Sequence, residues 1–254
     1  MPKHVYDCKR FHPDLGAHPR LELEPELAAA LPPSVDLRKH DTPIYDQGQL
    51  GSCTGNALAG NVAFVRKKEK KPNLWIPSRL FIYYNERVVE NDPSVDAGAS
   101  ISDGVGLLQE EGVCPESIWP YNIAAFAQQP PQAAYDAAKP HKVSRVILLD
   151  NTVRMELKGS LAQGFPWVIG FTVYDSFESD AVAQTGVVPM PQPGEGSPGG
   201  HAILVVGYDI ATQRYLCRNS WGLGWGMAGY FTIPFAYFEN PVLASDCWSI
   251  RQSG

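Results

Sequence analysis

The sequence predicts an α+β protein of two unlike lobes with a cleft between them. Helical spacing of apolar residues prevails from Asp36 to about Lys139, and strand-like runs prevail from Lys142 onward. Helices and strands that are segregated along a chain pack as distinct layers. The chain has 254 residues, 44% of them hydrophobic, which is enough for one large core or two smaller ones. We expect an N-terminal segment over residues 1–33, a mainly helical lobe over 34–140 and a mainly β lobe over 141–254.

Three helices are predicted in the first lobe. From Cys53 onward, apolar residues recur at helical spacing with small Ala and Gly residues between them, which indicates a helix packed closely on several sides. A second helix is predicted over Ser78–Glu90, with Ser78 as its N-cap. A third follows Ser102 and is ended by Gly112.

Five strands and one helix are predicted in the second lobe. The helix covers Thr152–Gln163. The strands are bounded by turn residues and rich in β-branched and aromatic side chains. They are Lys142–Leu149, Pro166–Tyr174, His201–Asp209, Tyr215–Asn219 and Gly229–Ile233.

The net charge and the hydrophobicity pattern argue against nucleic acid and membrane partners. The formal net charge of −6 argues against nucleic acid, because phosphate binding needs a basic face. No apolar run reaches the roughly 18 residues of a membrane helix, and Met1–Arg10 lacks a signal-like apolar core. We expect a water-soluble chain without a membrane partner. Its localisation is unknown, and secretion or export to a periplasm would require a longer precursor.

The cysteines form an odd set of five. If Cys53 is a nucleophile, four remain, and two disulfides are arithmetically possible without being required. Cys217 and Cys247 are typical of buried thiols. The full set is Cys8, Cys53, Cys114, Cys217 and Cys247.

A metal site near the N-terminus is an alternative that we do not adopt. His4, Cys8 and His12 are spaced by four residues, which would suit a metal ion if they lay on a helix. Pro13 and Gly16 limit such a helix to a turn or two, and no fourth ligand is fixed. We therefore assign no metal.

Cys53, His201, Asn219 and Gln47 together meet the requirements of thiol acyl transfer. A thiol in the first turn of a helix lies among unpaired N–H groups at the positive end of the dipole, which favours the thiolate. His201 opens a strand after a glycine-rich run, and imidazole transfers protons near neutral pH. Asn219 can fix the tautomer of that imidazole, with Trp221 shielding their hydrogen bond from water. The side-chain amide of Gln47 and the backbone N–H of Cys53 can bind an oxyanion.

The segments around these residues resemble the papain family of cysteine peptidases and occur in that family's order. The matching segments are Pro33–Arg38, Gln47–Cys53, Ile118–Tyr121, Gly200–Tyr208 and Asn219–Gly226. The resemblance implies a papain-like fold, in which a helical lobe and an antiparallel β-barrel-like lobe enclose the active-site cleft. It also implies a thiol protease that hydrolyses peptide or protein substrates without a cofactor.

Two positions depart from the common pattern of the family. Leu50 stands where many members have a cysteine that forms a disulfide, and Thr54 replaces the aromatic residue that usually follows the nucleophile. Both departures resemble a bacterial type of the family that depends less on disulfides.

Family position also implies substrate-binding residues. The loop 97–100 resembles the glycine-rich wall that pairs with substrate backbone, although the usual cysteine and paired glycines are absent. Small residues after the glycine-rich run leave a roomy specificity pocket, with Phe171 on its far side. The implied substrate-binding set is Gly98, Ala99, Phe171, Gly199, Gly200, Ala202 and Trp221.

Residues 1–33 precede the segment that resembles the mature start of the family. Family members are made with an inhibitory pro-segment that crosses the cleft. The resemblance therefore implies a zymogen, restrained by its own N-terminal segment, which is far shorter than usual. We expect a monomer.

Two other functions are compatible with these residues. An acyltransferase of the transglutaminase or arylamine acetyltransferase kind uses a similar triad, but commonly with aspartate as its third member, so Asn219 counts against it. A non-catalytic binding protein on a papain-like fold would need none of the chemistry. The intact set of Gln47, Cys53, His201 and Asn219 counts against that reading.

Overall fold

Eight α-helices and seven strands form the described part of the chain, residues 4–254 of a computed structural model. Residues 1–3 of the expected N-terminal segment lie outside the described residues. The helices are α1 (Pro25–Ala29), α2 (Cys53–Lys68), α3 (Arg79–Val89), α4 (Ile101–Glu110), α5 (Gln132–Ala138), α6 (Arg154–Ala162), α7 (Asp180–Thr185) and α8 (Phe235–Phe238). The strands are β1 (Ser34–Asp36), β2 (Val143–Leu148), β3 (Trp167–Val173), β4 (Gly199–Asp209), β5 (Arg214–Arg218), β6 (Tyr230–Pro234) and β7 (Ala244–Ser253).

All seven strands belong to one antiparallel sheet. Its order is β2-β7-β3-β4-β5-β6, and β1 pairs with the end of β4 that β3 does not reach. The sheet does not close, because β2 and β6 stand at opposite ends of that order. The α+β papain-like architecture is therefore confirmed, and because the sheet is open the description barrel-like fits the β lobe only loosely.

The predicted helices of the first lobe are present, with ends shifted by a few residues. The hydroxyl of Ser78 accepts a hydrogen bond from the backbone N–H of Phe81 at 3.1 Å, which confirms it as the N-cap of α3. Helix α4 begins earlier than predicted because Ser100 caps it and accepts from the N–H of Asp103 at 3.2 Å. Gly112, just beyond α4, has the positive φ of 81° that favours glycine after a helix.

The long strand β7 was missing from the sequence prediction because its buried residues include many polar ones. Ser245, Asp246, Ser249 and Arg251 are all buried. The carboxylate of Asp246 accepts hydrogen bonds from the backbone N–H of Ser102 at 3.0 Å and from its hydroxyl at 2.6 Å. A carboxylate at the first turn of α4 satisfies N–H groups that have no partner within the helix. Burial of polar groups is tolerated here because they are paired.

Two further findings concern membranes and disulfides. None of the helices among residues 4–254 is long and apolar enough to cross a bilayer. All five cysteines are buried free thiols, so the two disulfides that the count permits do not form.

Helix α2 is enclosed on several sides, as its small residues predict. It packs against β4 and β7 on one side and against α3 and α4 on the other. Every residue from Cys53 to Arg66 is buried. A Cβ atom added at Gly55 would lie 2.8 Å from the backbone oxygen of Arg79 in α3. The helices can approach this closely only because Gly55 has no side chain.

We expect Gly55→Ala to lower the free energy of unfolding by about 1–3 kcal/mol, because overpacking forces α2 and α3 apart. Gly106→Ala is the matched control, since a Cβ there would meet nothing within 4 Å. That change should stabilise α4 by up to about 1 kcal/mol through helix propensity. Urea denaturation followed by circular dichroism measures both. Equal effects of the two substitutions would contradict the packing argument.

Candidate active site

Cys53 is the first residue of α2, and its side chain is fully buried. Ser52 occupies the N-cap position, but its side chain makes no capping hydrogen bond. Its hydroxyl instead pairs with the hydroxyl of Tyr121 and accepts from the side-chain amide of Asn56 at 3.1 Å. The N–H groups of the first turn are therefore left to the groups around Cys53, and the positive end of the helix dipole faces the sulfur.

His201 lies in β4, and Asn219 follows the last residue of the neighbouring β5. The Nε2 atom of His201 is 2.9 Å from Oδ1 of Asn219, and both side chains are buried. Because Asn219 Oδ1 can only accept, Nε2 carries the proton in this pair. The other ring nitrogen, Nδ1, makes no hydrogen bond of standard geometry among the described residues. It is therefore the nitrogen available to exchange a proton.

The structure brings Cys53 and His201 together. The pKa of the Cys53 thiol is lowered well below its ordinary value, first by a hydrogen bond from the thiol of Cys8 and then, against the opposing effect of burial, by His201. The backbone N–H of Ala202, the residue after His201, contributes a smaller effect in the same direction. The sulfur thus lies where β4 crosses the first turn of α2, and the surroundings favour its thiolate.

Gln47 is fully buried and held at three points. Its backbone N–H donates to the carbonyl of Ser220 at 2.8 Å, and its Oε1 accepts from the Ser220 hydroxyl at 2.6 Å. Its Nε2 donates to the carbonyl of Leu50 at 3.0 Å. A side-chain amide carries two N–H groups, so one remains to donate elsewhere. Ser220 directly follows Asn219, which couples Gln47 to the residue that holds His201.

Arg218, immediately before Asn219, anchors this end of β5. Its guanidinium forms a fully buried ion pair with Asp41 and also donates to Oγ1 of Thr42 at 2.8 Å. The second carboxylate oxygen of Asp41 accepts from the hydroxyl of Tyr230 at 2.8 Å. A buried pair is tolerated when its remaining hydrogen-bonding capacity is filled in this way. The loop that leads to Gln47 is thereby tied to the strand that leads to Asn219.

Aromatic rings enclose His201. Trp221 stacks on the imidazole with a centroid separation of 4.9 Å and an interplanar angle of 25°. Phe171, which pairs with His201 across β3 and β4, presents its ring at 5.8 Å. These rings limit access of water to the His201–Asn219 hydrogen bond, and a hydrogen bond is stronger where the local dielectric is low.

The start of the chain runs along the residues that were predicted to bind substrate. The backbone N–H of Cys8 donates to the carbonyl of Gly200 at 3.0 Å, and that of Lys9 donates to the carbonyl of Ala99 at 2.9 Å. Both contacts belong to parallel bridges, Asp7 with Gly200 and Cys8 with Ala99. The segment 6–9 therefore lies between two walls, one before α4 and one at the start of β4.

Glycine residues, which have no side chain, make room for this segment. A Cβ added at Gly98 would lie 1.6 Å from the carbonyl oxygen of Asp7, and one at Gly199 would lie 2.2 Å from that of Tyr6. At Gly200 the corresponding distance to the carbonyl oxygen of Cys8 is 2.1 Å. The glycines thus allow close approach of a backbone, which is what a peptide-binding wall requires.

Two aromatic side chains of the N-terminal segment cover the site. His4 stacks on Trp221 with centroids 3.7 Å apart, and Tyr6 meets the edge of His201 at 5.9 Å. The hydroxyl of Tyr6 donates to Glu178. Neither residue was among the predicted site residues, because contacts between distant parts of a chain leave no periodic signal.

The alternative of a metal site at the N-terminus is not supported. His4 stacks on Trp221, Cys8 lies against Cys53, and His12 accepts from Arg10 at 3.1 Å. Within residues 4–254, no group of three or more His, Cys, Asp or Glu side chains is arranged to hold a metal ion.

Glu86 is a buried carboxyl group beneath the start of α2. It lies in α3 and accepts a hydrogen bond from the hydroxyl of Thr54 at 2.7 Å, while its second oxygen has no hydrogen-bond partner. Burial raises the pKa of Glu86 well above its usual value, and the nearby Cys53 raises it further. Thr54, the departure from the usual aromatic residue, is thus the side chain that satisfies this carboxyl.

Comparisons with known proteins agree with this geometry. The family described as papain family cysteine protease matches residues 31–238. A peptidase C1-like protein of Acanthamoeba polyphaga mimivirus is 44% identical, over 82% of this chain and 69% of the relative. The crystal structure of xylellain, a cysteine protease from Xylella fastidiosa, is 38% identical, with a TM-score of 0.90, over 97% of this chain and 96% of xylellain.

The short N-terminal region and the run Ser245–Trp248 predict a particular likeness to xylellain, and the comparison confirms it. Digestive procathepsin L 3 of Tenebrio molitor larval midgut is 22% identical, with a TM-score of 0.69, over 91% of this chain and 72% of that protein. This second structure supports the fold alone.

Glu86 should make stability depend on pH. Its pKa is raised in the folded state, so its neutral form is favoured there, and its contribution is complete below the unfolded value of about 4.3. Stability should fall as pH rises from that value through the folded pKa. Glu86→Gln keeps an acceptor for Thr54 and cannot ionise, so the free energy of unfolding should lose this decline. Denaturation across pH 4–9, with exposed Glu110→Gln as control, measures the difference; identical slopes for all three proteins would refute it.

Proposed function

Since the chain belongs to the papain family of cysteine peptidases, and is thus a thiol-dependent hydrolase, we propose that Cys53, His201 and Asn219 cleave peptide bonds in it. The observation that carries this proposal is the continuous arrangement from the Cys53 sulfur to the His201 imidazole and on to Oδ1 of Asn219. Each member supplies one requirement of acyl transfer: a nucleophile, a proton carrier and a group that orients it.

The reaction begins with attack of the Cys53 thiolate on the carbonyl carbon of the scissile peptide bond. The protonated imidazole of His201 then donates its Nδ1 proton to the leaving amine, and an acyl-enzyme remains. In the second half, Nδ1 takes a proton from water, the resulting hydroxide attacks the thioester, and the thiolate leaves. Nε2 keeps its hydrogen bond to Asn219 throughout, so the same ring nitrogen, Nδ1, transfers the proton in both steps.

The oxyanion of each tetrahedral intermediate is proposed to bind the free N–H of the Gln47 side chain and the backbone N–H of Cys53. Support comes from the rigid hold on Gln47 by Ser220 and Leu50, which fixes its amide before the substrate arrives. Donors that are positioned in advance stabilise developing charge without a cost of reorganisation.

Peptide or protein substrates are expected of such an enzyme, and we propose that their backbone binds where segment 6–9 now lies. Ala99 and Gly200 offer backbone carbonyls there, and Gly98 and Gly199 leave space. Phe171, Ala202 and Trp221 are proposed to line the substrate site around His201; Trp221 is covered in this structure by His4 of the N-terminal segment. All residues of the scheme come from one chain, so a monomer is sufficient.

The N-terminal segment is proposed to be inhibitory, with boundaries at about residues 33 and 140 separating it, the helical lobe and the β lobe. It occupies the proposed substrate path, but it places a thiol against the Cys53 sulfur, and the Cys8 carbonyl oxygen lies against Gly200. A nucleophile that meets a thiol in place of a carbonyl carbon has no bond to cleave. The segment can therefore bind without being consumed.

The chain without residues 1–33 should hydrolyse an unstructured peptide substrate, and Cys53→Ala in this form should abolish the activity. Gln47→Ala should lower kcat by roughly 10²–10³, the effect of removing one oxyanion donor. Steady-state kinetics with a fluorogenic peptide measure both, with and without an added amine acceptor. Faster transfer than hydrolysis would favour an acyltransferase, and turnover by the Cys53→Ala form would exclude the thiol mechanism.

Loosening the segment should activate the full chain. Tyr6→Ala removes a buried ring from His201 and Trp221, which should weaken the hold by about 2 kcal/mol and raise the initial rate up to roughly 30-fold. Phe11→Ala removes a ring that is 46% exposed and serves as the matched control. The measurement is the initial rate of peptide hydrolysis by the two variants and by the wild type. Equal rates for all three would show that the segment does not restrain the enzyme through Tyr6.

A further inference from the structure

Cys8 is held against the catalytic sulfur by its neighbours on both sides. The backbone N–H groups of Cys8 and Lys9 donate to Gly200 and Ala99, which stand on opposite walls. The Cys8 sulfur lies 3.2 Å from the position that a Cβ of Gly170 would take, so any larger residue at this point of β3 would force it to shift by a few tenths of an ångström. Asp7 also lies against Gly51, two residues before Cys53, so Cys8 is fixed between the start of α2 and the start of β4.

Both residues are buried, and the contact between their thiols is the largest influence on the pKa of each. The Cys8 sulfur also lies 3.8 Å from the carbonyl oxygen of Lys9, to which its thiol can donate. The same contact acts in opposite directions: it lowers the pKa of Cys53 and raises the pKa of Cys8. The contact therefore favours the thiolate at Cys53 and the thiol at Cys8. A thiolate beside a thiol is the arrangement of a redox-sensing cysteine poised next to a resolving cysteine.

We infer that Cys8 is a redox-modification site that captures the catalytic sulfur in a Cys8–Cys53 disulfide when a peroxide oxidises the site. This inference deepens the proposed function, since it rests on Cys53 as the nucleophile. It assigns to the N-terminal segment a second, covalent mode of inhibition, which a dithiol reductant reverses.

The chemistry balances in two steps. The Cys53 thiolate attacks one oxygen of hydrogen peroxide, the O–O bond breaks, and Cys53 sulfenic acid and hydroxide form. The Cys8 sulfur then attacks the sulfenic sulfur, the S–O bond breaks, and the Cys8 proton leaves with the hydroxyl as water. Two thiols have lost two electrons to one peroxide. A dithiol restores both thiols by exchange and is itself oxidised to a disulfide.

The disulfide would protect the enzyme as well as silence it. A sulfenic acid without a resolving thiol is oxidised further to sulfinic acid, which dithiols do not reduce. Cys8 is adjacent when the sulfenic acid forms, so resolution within the chain precedes a second encounter with peroxide. The three other cysteines, Cys114, Cys217 and Cys247, are buried free thiols.

The disulfide is tested on the full chain, which is first reduced and then treated with hydrogen peroxide before the remaining peroxide is quenched. Wild type should lose about 2 Da, the mass of two hydrogens, and yield a peptide pair linking Cys8 to Cys53 on non-reducing digestion. Cys8→Ser and Cys8→Ala should instead gain about 32 Da, the mass of two oxygens, at Cys53. Cys114→Ser, which removes a buried cysteine elsewhere, should still form the linked pair. Thermal melting confirms that each variant is folded.

Activity after dithiothreitol gives a second readout. Peptide hydrolysis should return to its level before peroxide in wild type and Cys114→Ser, and should stay lost in both Cys8 variants. A linked pair in the full chain, together with no hydrolysis by the reduced chain that lacks residues 1–33, would support the disulfide and refute the proposed function. Hydrolysis by the reduced enzyme without a linked pair, or equal recovery in the Cys8 variants, would overturn the disulfide and leave the proposed function intact.

Discussion

The site depends on the close packing of α2 between the sheet and helices α3 and α4. Because Gly55 and the other small residues let the helix approach its neighbours, its first turn meets β4 at the level of His201. Ser52 does not cap that turn, so the N-cap side chain does not satisfy the positive end of the helix, which favours negative charge on the Cys53 sulfur. Packing and nucleophile activation thus have the same cause: a wider helix spacing would move the thiol away from both the imidazole and Ala202.

Four consecutive residues at the end of β5 connect the remaining parts of the site. Arg218 fixes the preceding loop through Asp41, Asn219 orients His201, Ser220 holds Gln47, and Trp221 covers the imidazole. Only Arg218 belongs to β5; the chain then bends at Ser220 and pairs with Asp46 at Trp221, so one short segment reaches four separate partners. The helix start supplies the sulfur, and this segment positions the groups that act on it.

The parts that sequence predicted are those with a local cause. Apolar spacing and small residues identified α2, and Ser78 capped α3 because a hydroxyl three residues before a free N–H suffices. Strand β7 was not predicted because its buried Asp246 accepts a hydrogen bond from the start of α4, and a contact between distant segments leaves no local sequence pattern. Cys8 was considered as a metal ligand or a disulfide partner of another thiol, but its place over Cys53 follows from backbone pairing with Ala99 and Gly200. Only the tertiary structure joins these distant segments.

In the proposed function, occupation of the cleft by the N-terminal segment would couple substrate access to the state of the nucleophile. While the segment is bound, the Cys8 thiol is the largest influence that lowers the pKa of Cys53, ahead of His201. When the segment leaves, the same movement opens the walls at Ala99 and Gly200 and removes that hydrogen bond. The thiolate must then be sustained by His201, the Ala202 N–H and the helix dipole. On this proposal, Cys53 is paired with Cys8 while the segment is bound and would depend on His201 only when a substrate can enter.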